Sequence, residues 1–201
     1  MSKNPFRNFK TSPVKHPPLG GRFGTHFAGK IRKQRANYMR QVTQWQWHLG
    51  EVFVKINGVQ HYLWRAVAPE GEVLKSFVTK KRDKASALKF LRKAMKQYGN
   101  PRVIITDRCP SYRAAMKETG NIDRQEVARY QNNRAENSHL PFRRRERAMS
   151  RFRRMPNLQK FVSTHASLHN HFNLDRHINR RQTFKANRDA ALLKWRELVA
   201  A

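Results

Sequence analysis

Acidic side chains are what this sequence has least of. Its 201 residues include 13 Asp or Glu against 43 Lys or Arg, a formal net charge of +30. The first fifty residues contain no acid at all. A small acidic substrate has no use for such a surplus, whereas a polyanion takes it up directly by releasing condensed counterions. Nucleic acid is therefore the first partner to consider, and an anionic membrane surface a distant second. Cysteine is scarcer still. The lone Cys109 excludes an internal disulfide framework and a cysteine-based zinc cluster, and it fits a reducing cytosol. No run approaches the roughly 20 apolar residues that span a bilayer, and the opening MSKNPFRNFK lacks the apolar stretch of a signal peptide. Hydrophobic residues nevertheless make up 38% of the chain and aromatics 10%, with four Trp, which suffices for a core. The length suits one domain with extensions.

Up to Gly21 the chain is rich in Pro, Lys and Asn and reads as a basic arm; Phe23 to Arg40 suits one basic helix. From Trp45 the hydrophobic period becomes two. WHLGEVFVKI, the hairpin signal Asn57-Gly58, VQHYLWRAVA, the turn Pro69-Glu70-Gly71 and EVLKSFVT predict three consecutive antiparallel strands. Asp83 then caps a helix, KASALKFLRKAMKQY, stopped by Gly99 and Pro101. RVIIT (102–106) predicts a short buried strand and Pro110 to Lys117 a further helix. The stretch 119–131 has little pattern. A long helical region is expected from Asn132 to about Arg154, and a last pair of helices around 157–172 and 183–199. The order βββ-α-β-α-(β)-α is that of an α/β, ribonuclease-H-like mixed sheet flanked by helices. It divides into a basic arm and helix (1–44), a core (45–172) and a C-terminal helical extension (173–201).

With so few acids, their positions carry information. Asp107 directly follows the RVIIT strand, at the carboxyl end where such sheets place ligand chemistry. Glu136, in NNRAENSH, stands just inside the start of a helix. A carboxylate from each element can share a divalent cation. Magnesium takes one or two carboxylates and keeps waters for phosphate oxygens, and paired ions serve an in-line displacement at phosphorus. The same two residues would equally serve as a helix cap and an arginine partner.

WHLGEVFVKINGVQHYLWRAV, RVIITDRCPSYRAA, NNRAENSHLPFRRRERAM and LQKFVSTHASLHNHFN resemble the DDE transposases of bacterial insertion sequences, most of all the short-chain insertion-sequence family six. The likeness runs from about Phe23 to the C-terminus. It implies a ribonuclease-H-like catalytic core in which three acids hold two magnesium ions (manganese being a possible substitute) for DNA cleavage and strand transfer. By this resemblance Asp107 is the second catalytic and metal-holding acid and Glu136 the third. The family's first acid follows Trp-His-hydrophobic in the first strand, where this sequence has Gly50, which offers no ligand. Glu51 is adjacent, but alternation sends it to the other face, unless a bulge favoured by Gly50 swings it inward. Ala68 is a second departure, at a turn position usually acidic in the family. Only part of the family's N-terminal DNA-recognition region would fit before residue 45. The resemblance thus implies a truncated and impaired transposase or, alternatively, a catalytically inactive DNA-binding relative that represses or competes with an intact one. A basic structural or RNA-associated protein is the reading from another class.

The expected DNA contacts are Arg143, Arg144, Arg145, Arg147, Arg151, Arg153 and Arg154, seven arginines within twelve residues, with Lys80, Lys81 and Arg82 as a smaller patch. None reads base sequence. His165, His169 and His171 form HxxxHxH, with the first two at helical spacing that suits zinc, partial burial or phosphate contact. His48 and His139 flank the acid positions. Trp45, Trp47 and Trp64 are expected in the core, and Cys109 as a small buried residue without an activating pair. The partners implied are double-stranded DNA, as element ends and target, and a second copy of the chain in a dimer; no membrane is implied. The compartment implied is the bacterial cytoplasm, at the nucleoid.

Overall fold

A computed structural model of the chain describes residues 22–41, 46–127, 132–149, 152–172 and 180–200. Its elements are α1 (Arg22–Gln41), β1 (Gln46–Ile56), β2 (Val59–Val67), β3 (Val73–Thr79), α2 (Lys84–Tyr98), β4 (Val103–Thr106), α3 (Pro110–Glu118), a 3-10 turn (Ile122–Arg124), β5 (Gln125–Val127), α4 (Asn133–Ala148), α5 (Met155–Phe172) and α6 (Arg181–Ala200). The local chemistry explains the boundaries. Asn57 and Gly58, both at positive φ (49° and 80°), make the tight β1–β2 turn. Asp83 accepts a hydrogen bond from the Ser86 amide (2.8 Å) at the start of α2. Gly99 at φ 85° ends that helix.

The five strands lie in the order β3-β2-β1-β4-β5. β1, β2 and β3 pair antiparallel, and β4 and β5 run parallel to β1. An antiparallel trio joined through its first strand to a parallel pair is the ribonuclease-H-like arrangement expected from the element order. Alternation along β1 and β2 sorts their side chains between two cores. Trp47, Leu49, Trp64 and Ala66 pack with Phe90 and Leu91 of α2 and Tyr112 of α3. Val54, Ile56 and Leu63 pack with Phe142 of α4 and with Leu158, Phe161 and Val162 of α5. Trp47 and Trp64 are buried as expected; Trp45 lies outside the described residues.

The sheet edge at β3 is covered by α5. The Asn170 amide accepts from the Val73 N–H (3.1 Å) and donates to the Val73 carbonyl (2.8 Å). Gln159 accepts from the Val78 N–H (2.8 Å) and donates to the Ser76 carbonyl (3.0 Å).

One expectation needs correction. The long helix predicted to about Arg154 ends at Ala148, and Met149 is extended. Phe152 is the reason: it is buried among Ile56, Phe142 and Phe161, and it bridges Ile56 in parallel. The turn residue Asn57 clasps this segment, donating its backbone N–H to the Phe152 carbonyl (3.2 Å) and its side-chain amide to the Arg153 carbonyl (3.0 Å). The strand bracketed in the expected order falls within 119–131 as β5, three residues paired with β4 and too short to show a period. Among the described residues no helix is long and apolar enough to cross a membrane.

Candidate functional site

The site is built where β1 outruns β4. Parallel pairing joins His48 to Ile105; beyond it β1 runs on through Gly50, while β4 ends at Thr106 and the chain turns at Asp107. α4 lies across the Gly50 face. A Cβ built on Gly50 would meet the Ala135 Cβ at 3.0 Å and His139 Nε2 at 3.6 Å. α4 is fastened here by Asn132, whose side-chain amide donates to the Leu49 carbonyl (2.9 Å). That bond spends the Asn132 side chain on β1 and leaves it making no cap to its own helix. Glu136 follows in the first turn of α4. The strand end carrying Asp107, the missing acid's position and the helix bearing Glu136 are thus gathered at one end of the sheet.

Arg65 forms the floor of the Gly50 face. It pairs across from Gly50 on β2, is 1% exposed, donates Nη1 to the Ser138 carbonyl of α4 and lies over the Phe142 ring at 5.4 Å. Its Nε and Nη2 have no hydrogen-bond partner. Burial, reinforced by the nearby Arg143 charge, lowers its pKa to about 9. His139 is pushed down to about 3, first by burial and then by the charges of Arg65 and Arg143. The Gly50 face is therefore lined by Ala135, His139 and the buried cation of Arg65, and Gly50 itself presents no side chain to it.

Glu51 faces the other way. The β1–β2 register runs without a bulge through Gly50, so alternation holds. The Glu51 side chain, 5% exposed, forms an ion pair with Arg82 through Oε1, while Oε2 has no hydrogen-bond partner. Its pKa is raised, by burial foremost and then by the Asp107 charge, with Arg82 opposing. The Tyr112 hydroxyl, fully buried, stands beside this carboxylate without a hydrogen bond of regular geometry. Asp107 Oδ1 accepts from the Cys109 N–H (3.0 Å), which turns the chain into α3. Ligand atoms of Glu51, Asp107 and Cys109 all lie within 4.8 Å of one another, and this is the one such trio among the described residues.

The basic residues divide. Arg144, Arg145, Arg147, Arg153 and Arg154 are exposed, as are Lys80 and Lys81. Arg143 is instead engaged by the Phe53 carbonyl and by Glu146 (2.6 Å), and Arg82 by Glu51. Arg151 lies outside the described residues. His165 and His169 stack at 6.0 Å between centroids, whereas His171 contacts the Ala191 carbonyl (3.0 Å) and the Phe27 ring, so the three do not converge. Cys109 is buried. The reading of the sequence did not single out Arg65, Asn132 or Tyr112. Only Arg65 left a signal, as a charge inside the apolar strand VQHYLWRAVA.

A divalent cation of the kind the resemblance implies requires hard oxygen donors. Asp107 and Glu136 each offer carboxylate oxygens of that kind, and Gly50 offers none.

The strand order, with an acid directly after β4 and another at the start of α4, defines a ribonuclease-H-like core of the integrase and transposase class. The chain belongs to the DDE domain family, whose model matches residues 44–175. It is 40% identical over 72 residues to the transposase for insertion sequence-like element IS431mec of Staphylococcus aureus strain N315, a match covering 36% of this chain and 32% of that relative. The transposase for insertion sequence element IS257 in transposon Tn4003 of Staphylococcus aureus matches with the same identity and coverage. The matched segment spans about a third of the length of these relatives. Among solved structures, the HTLV-2 integrase catalytic core domain in complex with magnesium is similar at 15% identity and a TM-score of 0.47, over 70% of this chain and 90% of that one.

Proposed function

We propose that this chain is the catalytic-core part of an insertion-sequence transposase, acting on double-stranded DNA by cleavage and strand transfer, and that Gly50 impairs it. The observation that carries the reading is that Gly50 lies against the first turn of the helix that bears Glu136, on the strand paired with the one that leads into Asp107. Asp107 and Glu136 would hold magnesium, or manganese in its place; the ion's chemistry is to activate the attacking oxygen and stabilise the leaving one. The chain's own contribution is positional. Asn132 ties the Glu136 helix to β1, the Asp107 turn fixes that carboxylate at the strand end, and the exposed arginines of α4 bind phosphate. Glu51 lies off the Gly50 face, but its carboxylate comes within 4.8 Å of that of Asp107, so it is the first group to test should the chain prove active with Gly50 in place. Loss of one member from a set that acts as a unit costs orders of magnitude in turnover.

The test compares the protein with Gly50→Asp on labelled element-end DNA with magnesium or manganese, reading cleavage and joining. The new Cβ needs α4 to give by a few tenths of an ångström, so the folding of the variant is checked by circular dichroism. Products from Gly50→Asp alone are expected. Equal activity in both proteins would refute the impairment. Silence in both, with DNA binding intact, would favour the second reading, which Gly50 itself supports: a catalytically inactive relative that occupies element ends and competes with an intact enzyme. A dimer is the assembly proposed for either role, and the bacterial cytoplasm, at the nucleoid, the compartment.

A further inference from the structure

We propose that Glu51, Asp107 and Cys109 form a second cation site, distinct in donor set from the family's acidic triad and selective for a borderline divalent ion of the zinc class. Two carboxylate oxygens with one thiolate sulfur suit such an ion, whereas magnesium has no use for sulfur. Bonds of about 2.0–2.3 Å at tetrahedral angles place two ligands of one ion about 3.3–3.8 Å apart. The three ligand atoms, within 4.8 Å of one another, close to that spacing by side-chain rotations that move them about an ångström.

More than a cluster of acids supports the site. Glu51 is 95% buried by its side-chain exposure of 5%, and its Oε2 has no hydrogen-bond partner. Leaving a buried carboxylate oxygen unsatisfied is costly, and Arg82 compensates only Oε1. The fully buried Tyr112 hydroxyl adjoins the same carboxylate without a hydrogen bond of regular geometry, and from there it can donate to a ligating oxygen from the outer shell. Zinc would thus take Glu51 through Oε2, Asp107 and Cys109 Sγ, with water in the fourth place; the Cys109 thiol proton leaves to solvent on binding. Because Asp107 belongs to both donor sets, zinc here competes for a carboxylate that the strand-transfer site requires.

Cys109 is the chain's only cysteine, so a sulfur-to-metal signal can come from nowhere else in it. Cobalt(II) titrated into the reduced full chain, without DNA, should give a thiolate-to-cobalt charge-transfer absorption. That band should saturate at one ion per chain, vanish on adding equimolar zinc and persist in excess magnesium. Cys109→Ser should abolish it. Glu51→Gln should weaken cobalt binding by about tenfold or more, and Arg82→Ala, which removes the competing cation, should tighten it. His165→Ala with His169→Ala should leave it unchanged. Absence of the band in folded protein overturns the site, as does a band indifferent to Glu51→Gln, which would be binding by a thiol alone. If Glu51→Gln fails to fold, Asp107→Asn decides by the same criterion. None of these readings depends on strand transfer, so the site and the proposed function fail separately.

Discussion

Arg65 occupies a place that a charge rarely holds, inside a sheet face with no carboxylate among its contacts. Its Nη1 donates to the Ser138 carbonyl and its guanidinium lies over Phe142, but neither partner supplies the negative charge that offsets desolvation. Arg65→Met should therefore stabilise the fold by on the order of 1 kcal/mol, kept small by the donor that Ser138 loses. Urea unfolding at neutral pH measures this, and a destabilised variant would refute it. His139, beside Arg65 and Arg143, has a sharper signature. Its pKa falls from 6.5 to about 3 on folding, so between those values the unfolded chain binds more protons. Stability is full above pH 6.5 and declines as the pH drops toward 3, by up to a few kcal/mol. His139→Gln should flatten that part of the profile; an unchanged slope would mean that other groups set it. Arg65 works in the alkaline range: its pKa is lowered to about 9 on folding, so above that pH the unfolded state again binds more protons and stability rises with pH.

The elements with their own periodicity or caps were legible in the sequence: the three-strand meander, α2 between Asp83 and Gly99, the β4 run, and the basic helix α1. What escaped were features decided by tertiary contacts. β5, bracketed in the expected order, has three residues, too few for its bounds to be read, and exists because β4 offers it a partner. The break after Ala148 exists because Phe152 is worth more in the core beside Ile56 than helical turns of arginine are in water. Asp107 could be placed from its position after β4. Alternation along β1 gave the face of Glu51, but not its approach to Asp107 and Cys109, which depends on how far β1 runs past β4. Nor does local pattern reveal the cover over β3, since Gln159 and Asn170 lie about a hundred residues from the strand they satisfy. Asn170→Leu leaves both polar groups of Val73 without these bonds, which should cost about 1–3 kcal/mol and open an edge to pairing with other chains. Thermal unfolding and light scattering test both effects; an unchanged midpoint would show that water replaces the amide fully.

For the whole molecule the dominant fact is a charge of +30. Binding to duplex DNA should fall linearly in log–log dependence on salt, by about 0.9 per phosphate contact. Arg144→Ala with Arg145→Ala removes two exposed guanidinium groups; the slope should drop by up to ~1.8 and affinity should weaken alike on all sequences. Arg143→Ala is the contrast, since its side chain is held by Phe53 and Glu146, and the slope should stay as it was. Fluorescence anisotropy across a salt series distinguishes them, and equal slopes for both variants would refute the division of the arginine run. That division was not visible in the sequence, where seven arginines look alike.

The clasp between Asn57 and the Phe152–Arg153 backbone bears on the same surface in terms of entropy. Charges on a loose tail lose conformational freedom when they settle on a phosphate row, and that loss is subtracted from every contact. The Phe152–Arg153 backbone, pinned to a hairpin tip whose own shape is set by two positive-φ residues, has surrendered much of that freedom on folding. The sheet thus serves as a preorganised rail: part of the ordering cost of a phosphate contact is met when the protein folds, before any ligand arrives.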